Sequence, residues 1–368
     1  MFKRIIKNNI KKILWFIKNE RKIEQWNTDD EWDEYVKYIE TLKNVKYNKK
    51  KIQLPYNEAK YKYVGAQIIN NDLIAIPNGS TNALIYNLIS NKTENIEVGT
   101  GEFKWTGGMQ YKDKIVCFPR TKDDFLLLDV NKKESLRLKA DCFNGKEHHY
   151  SGIETKEGVV YQPPRNSKYI YKYDLEKRKG KRIYIGPCDE RYCGGIFHPN
   201  GYIYFFPEHD GKVIKLNPLT DQWKYIGEKI STMVFDAKIA TDGNIYGYSA
   251  YENGMLKVDV RTNQCKMILE EYNFGAYGTK IGVNGKLYSV PGDGDFVWEY
   301  DVNKDTIRKV FSVEDSGRKA KFAGGAIDKK GNIYCVPATN NYLLKYEIEN
   351  ANVTIGNKMW KAYFSDNY

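Results

Sequence analysis

The amino-acid sequence predicts an all-β fold, a seven-bladed β-propeller of four-stranded antiparallel blades preceded by an N-terminal helical extension. Three markers in register carry that prediction. A proline recurs at Pro77, Pro119, Pro164, Pro207, Pro291 and Pro337, with Ser249 in the remaining slot, at steps of 42 to 46 residues. Ten residues after each anchor stands Asn87, Asp129, Asp174, Asn217, Asp259, Asp301 or Glu347. Twelve residues before each stands Gly65, Gly107, Gly152, Gly195, Ala237, Thr279 or Gly325. A period in the forties with about four short strands per unit is the length of a propeller blade. One such unit cannot bury its apolar face alone, so copies must stack around an axis.

The elements follow in chain order. Residues 1–25 read as a basic amphipathic helix, with Phe2, Ile6, Ile10, Ile13, Leu14 and Ile17 spaced by three and four and lysines opposite. Lysines recur too often for a signal peptide or a bilayer span, whereas Trp15 and Phe16 beside them suit an anionic membrane surface. The competing expectation is a helix docked on the propeller rim or on a partner. Residues 26–60 read as a second helix and a linker. Thr28 and Glu31 have capping-box spacing, and Trp32, Tyr35, Val36, Ile39 and Leu42 line one face. Lys43–Lys51 reads as basic linker and Ile52–Tyr56 as a short strand; either that strand or Val353–Phe364 would close the ring.

Residues 61–368 hold the blades, at about 63–104, 105–148, 149–192, 193–234, 235–276, 277–321 and 322–364. In the fourth, Cys193–Gly194–Gly195–Ile196–Phe197 opens the innermost strand, Gly201 turns, and Tyr202–Pro207 forms the second. Val213–Asn217 forms the third, and the acid or Asn ending each third strand begins a turn to the outermost one.

Composition bounds the function. Thirty Tyr and thirty Gly among 368 residues favour strands and tight turns. Of the net charge of +11, residues 1–22 supply +7, which leaves +4 for the rest and argues against a wide nucleic-acid footprint on the blades. The six cysteines show no zinc or redox spacing and read as reduced thiols in a cytoplasmic protein, with no metal or cofactor expected. Phosphate-loop, dinucleotide and serine-elbow motifs are absent.

Gly-Gly, then Gly-x-Ile-Tyr-x-x-Pro, then a strand ending in Asp, resembles kelch-like repeats across residues 63–347, although the late tryptophan of those repeats is missing. That resemblance implies the fold and leaves the function open.

Two rings of side chains should converge on the axis at one face. The first is Tyr63, Trp105, Tyr150, Tyr192, Phe235, Tyr277 and Phe322, preceded in five blades by Lys62, Lys104, His149, Arg191 and Lys321. As a ligand rim, aromatics and cations would stack a sugar or base face and pair a carboxylate or phosphate. As architecture, the aromatics would be wedges between blades. The second ring, including Asn78, Arg120, Lys122, Arg165, Glu208, His209, Asp293, Asp295 and Asn340, reads as solvated turn residues. His149, Glu208 and His209 are the catalytic candidates. They resemble the His-plus-carboxylate sites of propeller lyases such as streptogramin lyase, whose repeat wording differs, so that activity is not carried over.

The expectation is therefore a non-catalytic binding module, possible ligands being an anionic sugar, a nucleotide-sugar or a partner protein. It would be cytoplasmic, with peripheral membrane attachment through residues 2–18 as one option. The alternatives are a lyase- or hydrolase-like enzyme and a protein scaffold.

Overall fold

A computed structural model describes residues 30–42, 45–143, 149–156, 158–186, 191–313, 317–349, 351, 355 and 359–365. The expected membrane-contact residues, the Thr28 cap and one of the six cysteines, Cys188, lie outside them. Seven antiparallel sheets follow one another along the chain as the blades of a propeller. Their innermost strands begin at Tyr63, Trp105, Ile153, Arg191, Lys238, Ala276 and Phe322. Six sheets have four strands. In blade 4, Ile203–Asn217 is one continuous strand, paired through residues 203–208 with Arg191–Phe197 and through 208–217 with Gln222–Met233.

The markers have distinct jobs. Ring aromatic and anchor proline face each other across the inner ladder: Tyr63 opposite Pro77, Trp105 opposite Pro119, Tyr192 opposite Pro207 and Phe322 opposite Pro337. The register shifts directly after each of these aromatics, so a bulge bends the inner strand where it meets the axis. Glycine there is a matter of space. A Cβ on Gly194 would lie 2.6 Å from the carbonyl oxygens of Val234 and Phe235, and one on Gly195 would lie 2.9 Å from the Ile153 side chain. The residues ten after the anchors cap turns as expected. The carboxylate of Asp129 accepts from the Lys132 amide, that of Asp174 from Lys177, that of Asp259 from Arg261 and Thr262, and that of Asp301 from Lys304.

Ring closure departs from the expected boundaries. Strand β1 spans Lys46–Gln53, most of it in the stretch read as linker and its last two residues in the expected strand Ile52–Tyr56, and pairs antiparallel with Tyr342–Glu349 as the outermost strand of blade 7. Its lysines do not prevent this, because an outermost strand needs only one buried face. Of the stretch Val353–Phe364, residues Trp360–Phe364 form a short helical turn.

Helix α1, Asp30–Thr41, follows the apolar spacing. Trp32, Tyr35 and Ile39 are buried, with Val36 and Leu42 packed beside them. Trp32 stacks on Tyr363 at 3.8 Å between centroids, Tyr35 meets Phe364 edge-on, and the Tyr35 hydroxyl donates to the Gly282 carbonyl. Gly282 and Gly285 lie between the first two strands of blade 6, so α1 and the C-terminal turn together cover part of that face. That side is the turn face. The opposite, loop face carries the connections into each first strand and from second to third strands.

Candidate functional site on the loop face

The seven ring aromatics, from Tyr63 to Phe322, are all buried, none more than 8% exposed. Tyr63 packs among residues of blades 7 and 1, Trp105 among those of blades 1 and 2, and Tyr192 among those of blades 3 and 4. The Trp105 indole N–H donates to the Asp124 carbonyl, the Tyr192 hydroxyl donates to the Lys212 carbonyl, and Phe322 packs edge-on to Tyr342. Tyr150, Phe235 and Tyr277 form a continuous row, with centroids 5.4 and 5.3 Å apart.

The cations beside them do a job that repeat spacing alone did not reveal. The Lys62 amide donates to the Ala338 carbonyl, that of Lys104 to Asn78, that of His149 to Arg120 and that of Lys321 to Gly292. Each acceptor immediately follows the anchor proline of the preceding blade. The lysine ammonium groups then reach further into the same loops. Lys62 Nζ donates to the Thr339 carbonyl, Lys104 Nζ to Ser80, and Lys321 Nζ to Asp293 and to the Asp295 carboxylate. A buried ammonium requires several acceptors, and turn carbonyls provide them. Burial, with Lys122 and Arg137 nearby, still draws Lys104 down to about 8, and burial with Arg318 nearby lowers Lys62. These lysines lock one blade to the next. Of the five pre-ring cations only Arg191 is exposed.

His149 is 1% exposed, its ring lying 4.5 Å from that of Phe143 and 4.6 Å from that of Tyr171. Glu208 is held by Arg165, whose Nε and Nη2 donate to its two oxygens at 2.8 and 2.9 Å. Burial pushes the Glu208 carboxyl up, and this two-point pairing more than offsets it, leaving the group below its usual range. His209 is exposed, in a left-handed backbone conformation with φ 77°. Among the described residues no three His, Cys, Asp or Glu side chains gather as a metal site.

What faces solvent near the axis is a different set. The Arg120 guanidinium lies 4.4 Å from the centroids of both Phe103 and Tyr150, and Arg165 lies 4.7 Å from Tyr150. Arg165 is neutralised by Glu208. Arg120 has no carboxylate partner among the described residues. Tyr61, 40% exposed, packs on Phe103 at 5.5 Å. Tyr251, 48% exposed, accepts from the Tyr277 hydroxyl at 2.9 Å and lies within electrostatic reach of Tyr61, Glu208 and Asp293. Side chains from blades 1 to 6 therefore meet here. Tyr61 and Tyr251 carry no signal in the repeat because they flank its periodic positions: Tyr61 precedes the ring residue by two, and Tyr251 follows the blade 5 anchor slot by two.

No known family profile and no curated protein matches the chain. Solved structures do. A streptogramin B lyase aligns with TM-score 0.69 at 10% identity, covering 82% of this chain and 98% of that one. A catalytically inactive virginiamycin B lyase from Staphylococcus aureus with quinupristin gives TM-score 0.70 at 10% identity, covering 82% and 99%. The extracellular domain of a putative one-component system from B. thetaiotaomicron gives TM-score 0.64 at 12% identity, covering 82% of this chain and 40% of that one. The chain is a seven-bladed β-propeller. At these identities the likeness establishes the fold, and the neighbours include both lyases and the extracellular domain of a one-component system.

Proposed function

We propose that this propeller is a non-catalytic binding module that takes an anionic, glycan-like ligand at the axis of its loop face. The observation that carries the reading is Arg120, a guanidinium oriented by two rings and carrying no carboxylate partner among the described residues. A cation fixed in this way is suited to a carboxylate or phosphate, while half-exposed Tyr61 and Tyr251 offer ring faces to a sugar. The enzyme alternative is less well supported. Its His149 is enclosed between two aromatic rings and its Glu208 is occupied by Arg165, so neither is presented for proton transfer. Within the propeller fold, the Gly-Gly and Gly-x-Ile-Tyr wording supports a kelch-like repeat. The buried thiols of Cys117, Cys142, Cys193, Cys265 and Cys335 support a cytoplasmic setting. Peripheral membrane attachment would rest on residues 2–18 and is read by liposome flotation with and without residues 1–22.

The direct test is calorimetric titration with glucuronate, glucose 6-phosphate and glucose. Binding of the anionic sugars, weakened at least about tenfold in Arg120→Gln, is expected, since a charged hydrogen-bond pair contributes about 1.5–3 kcal/mol. Equal binding of all three sugars, or an Arg120→Gln variant that binds like the parent, would remove the reading.

A further inference from the structure

The loop face is not the only place where the fold leaves room. On the turn face, α1 and the C-terminal turn pack on blades 5 and 6, while a cavity of about 750 Å³ remains open beside them. Its walls come from the inner strands and turns of blades 7, 1 and 2, from Glu154 of blade 3, and from Trp360–Ser365. That volume is in the range of small-ligand sites.

The lining has a definite chemistry. Five lysines from four elements border it: Lys112, the adjacent Lys329 and Lys330 of one turn, Lys345 and Lys361. Lys112 pairs with Glu176 at 2.6 Å and Lys345 with Glu347, two carboxylates outside the lining. Only two carboxylates border the cavity, Glu154 and Asp328, and both are engaged within the protein. Asp328 accepts from the Lys330 and Asn332 amides, from Asn332 Nδ2 and from the Tyr334 hydroxyl. Glu154 accepts from the Gly158 amide and pairs with Lys361 at 3.4 Å. The Lys330 ammonium is exposed with no carboxylate partner among the described residues. With these pairs formed, the five lysines still outnumber the four carboxylates Glu154, Asp328, Glu176 and Glu347, so the cavity favours an anion at Lys330.

It also favours a planar body. Trp360 forms part of the wall and is backed by Phe364, stacked at 5.2 Å and 15°. Ile69 and Met109 add apolar surface, and exposed Asn70 and Asn71 add amide groups at the rim. A plain hydrocarbon chain would leave those amides idle, and inorganic phosphate would leave the indole idle. A ring with hydrogen-bonding edges and an anionic head uses all three features.

We propose that this turn-face cavity is a second ligand site, independent of the loop face, that takes a mononucleotide-like anion: the base against Trp360, the phosphate among Lys330, Lys361 and their neighbours. The test uses the full chain and the probes AMP, GMP, UMP and CMP, with adenosine as the uncharged control, followed by calorimetry. Saturable 1:1 binding of at least one mononucleotide is expected, at least tenfold tighter than adenosine binding. The double variant Lys330→Gln/Lys361→Gln should weaken it tenfold or more, with a melting temperature close to the parent's because both side chains are exposed. Trp360→Leu should weaken it as well, and loop-face Arg120→Gln should leave it unchanged. Absence of saturable binding by all four nucleotides overturns the proposal. So does binding that ignores the lysine variant, or binding lost in Arg120→Gln, which would assign the nucleotide to the other face.

Discussion

His198 shows how a histidine can be used without being part of a site. Its Nδ1 accepts from the Asn200 amide at 3.0 Å, so the proton resides on Nε2, which donates to the Gly243 carbonyl at 2.9 Å. Both nitrogens are satisfied only in the neutral ring, and burial draws its pKa from 6.5 down to about 4. Above pH 6.5 neither the folded nor the unfolded chain protonates it. As pH falls from 6.5 towards 4 only the unfolded chain takes up the proton, so this residue's contribution is lost across that window, about 3 kcal/mol in full. In urea unfolding at pH 7 and pH 4, the stability gap between parent and His198→Gln should narrow by about that amount. A constant gap would refute it. The Arg165–Glu208 pair behaves differently. Arg165→Met strands a carboxylate whose side chain is 4% exposed, at a cost of about 3 kcal/mol. Adding Glu208→Gln should recover part of the loss, a sub-additivity that equilibrium unfolding reads directly. At this scale the sequence was least legible. Lys62, Lys104 and Lys321 are chemically fit for a ligand, and only the position of the preceding blade's carbonyls assigns them to blade locking.

Strands and turns were far more readable, because period, anchor proline and capping acid each answer to local backbone geometry. The one capping position that departs in kind, Glu347, marks the closure. Among the described residues no outermost strand follows it in sequence; it pairs with Lys345 while its own strand continues to Glu349 beside β1. A longer acid where six siblings have Asp or Asn was the available signal, obscured by the four lysines of β1, which read as linker. Removing residues 1–54 should expose the edge of Tyr342–Glu349. Hydrogen exchange over those residues should then rise markedly and the protein should self-associate, with a peptide spanning Lys46–Gln53 reversing both. Unchanged exchange would mean that β1 contributes nothing to holding blade 7.

The whole molecule divides its two faces between different tasks: loops knitted by backbone hydrogen bonds and lysines on one side, a helix and a C-terminal turn packed over part of the other. Helix α1 packs on the turn between the first two strands of blade 6 and on the C-terminal turn. Trp32 and Tyr363 should therefore be coupled. In a double-mutant cycle to alanine, the interaction should be about 1 kcal/mol, as for stacked rings, and zero coupling would sink the idea. Long-range pairings of this kind leave no trace in a periodicity, because each segment's pattern requires only some apolar partner and does not name it.

Closure by β1 also imposes an order in time. Asn48 and Glu349, bonded to each other across the closing ladder, stand 301 residues apart. At roughly 5–20 residues per second of synthesis, the first strand waits about 15–60 s for its partner to be made. Through that interval it is a bare β edge in a crowded ribosomal exit zone. Lys46, Lys49, Lys50 and Lys51 are gatekeepers for the wait: their mutual repulsion discourages pairing between nascent chains until blade 7 arrives.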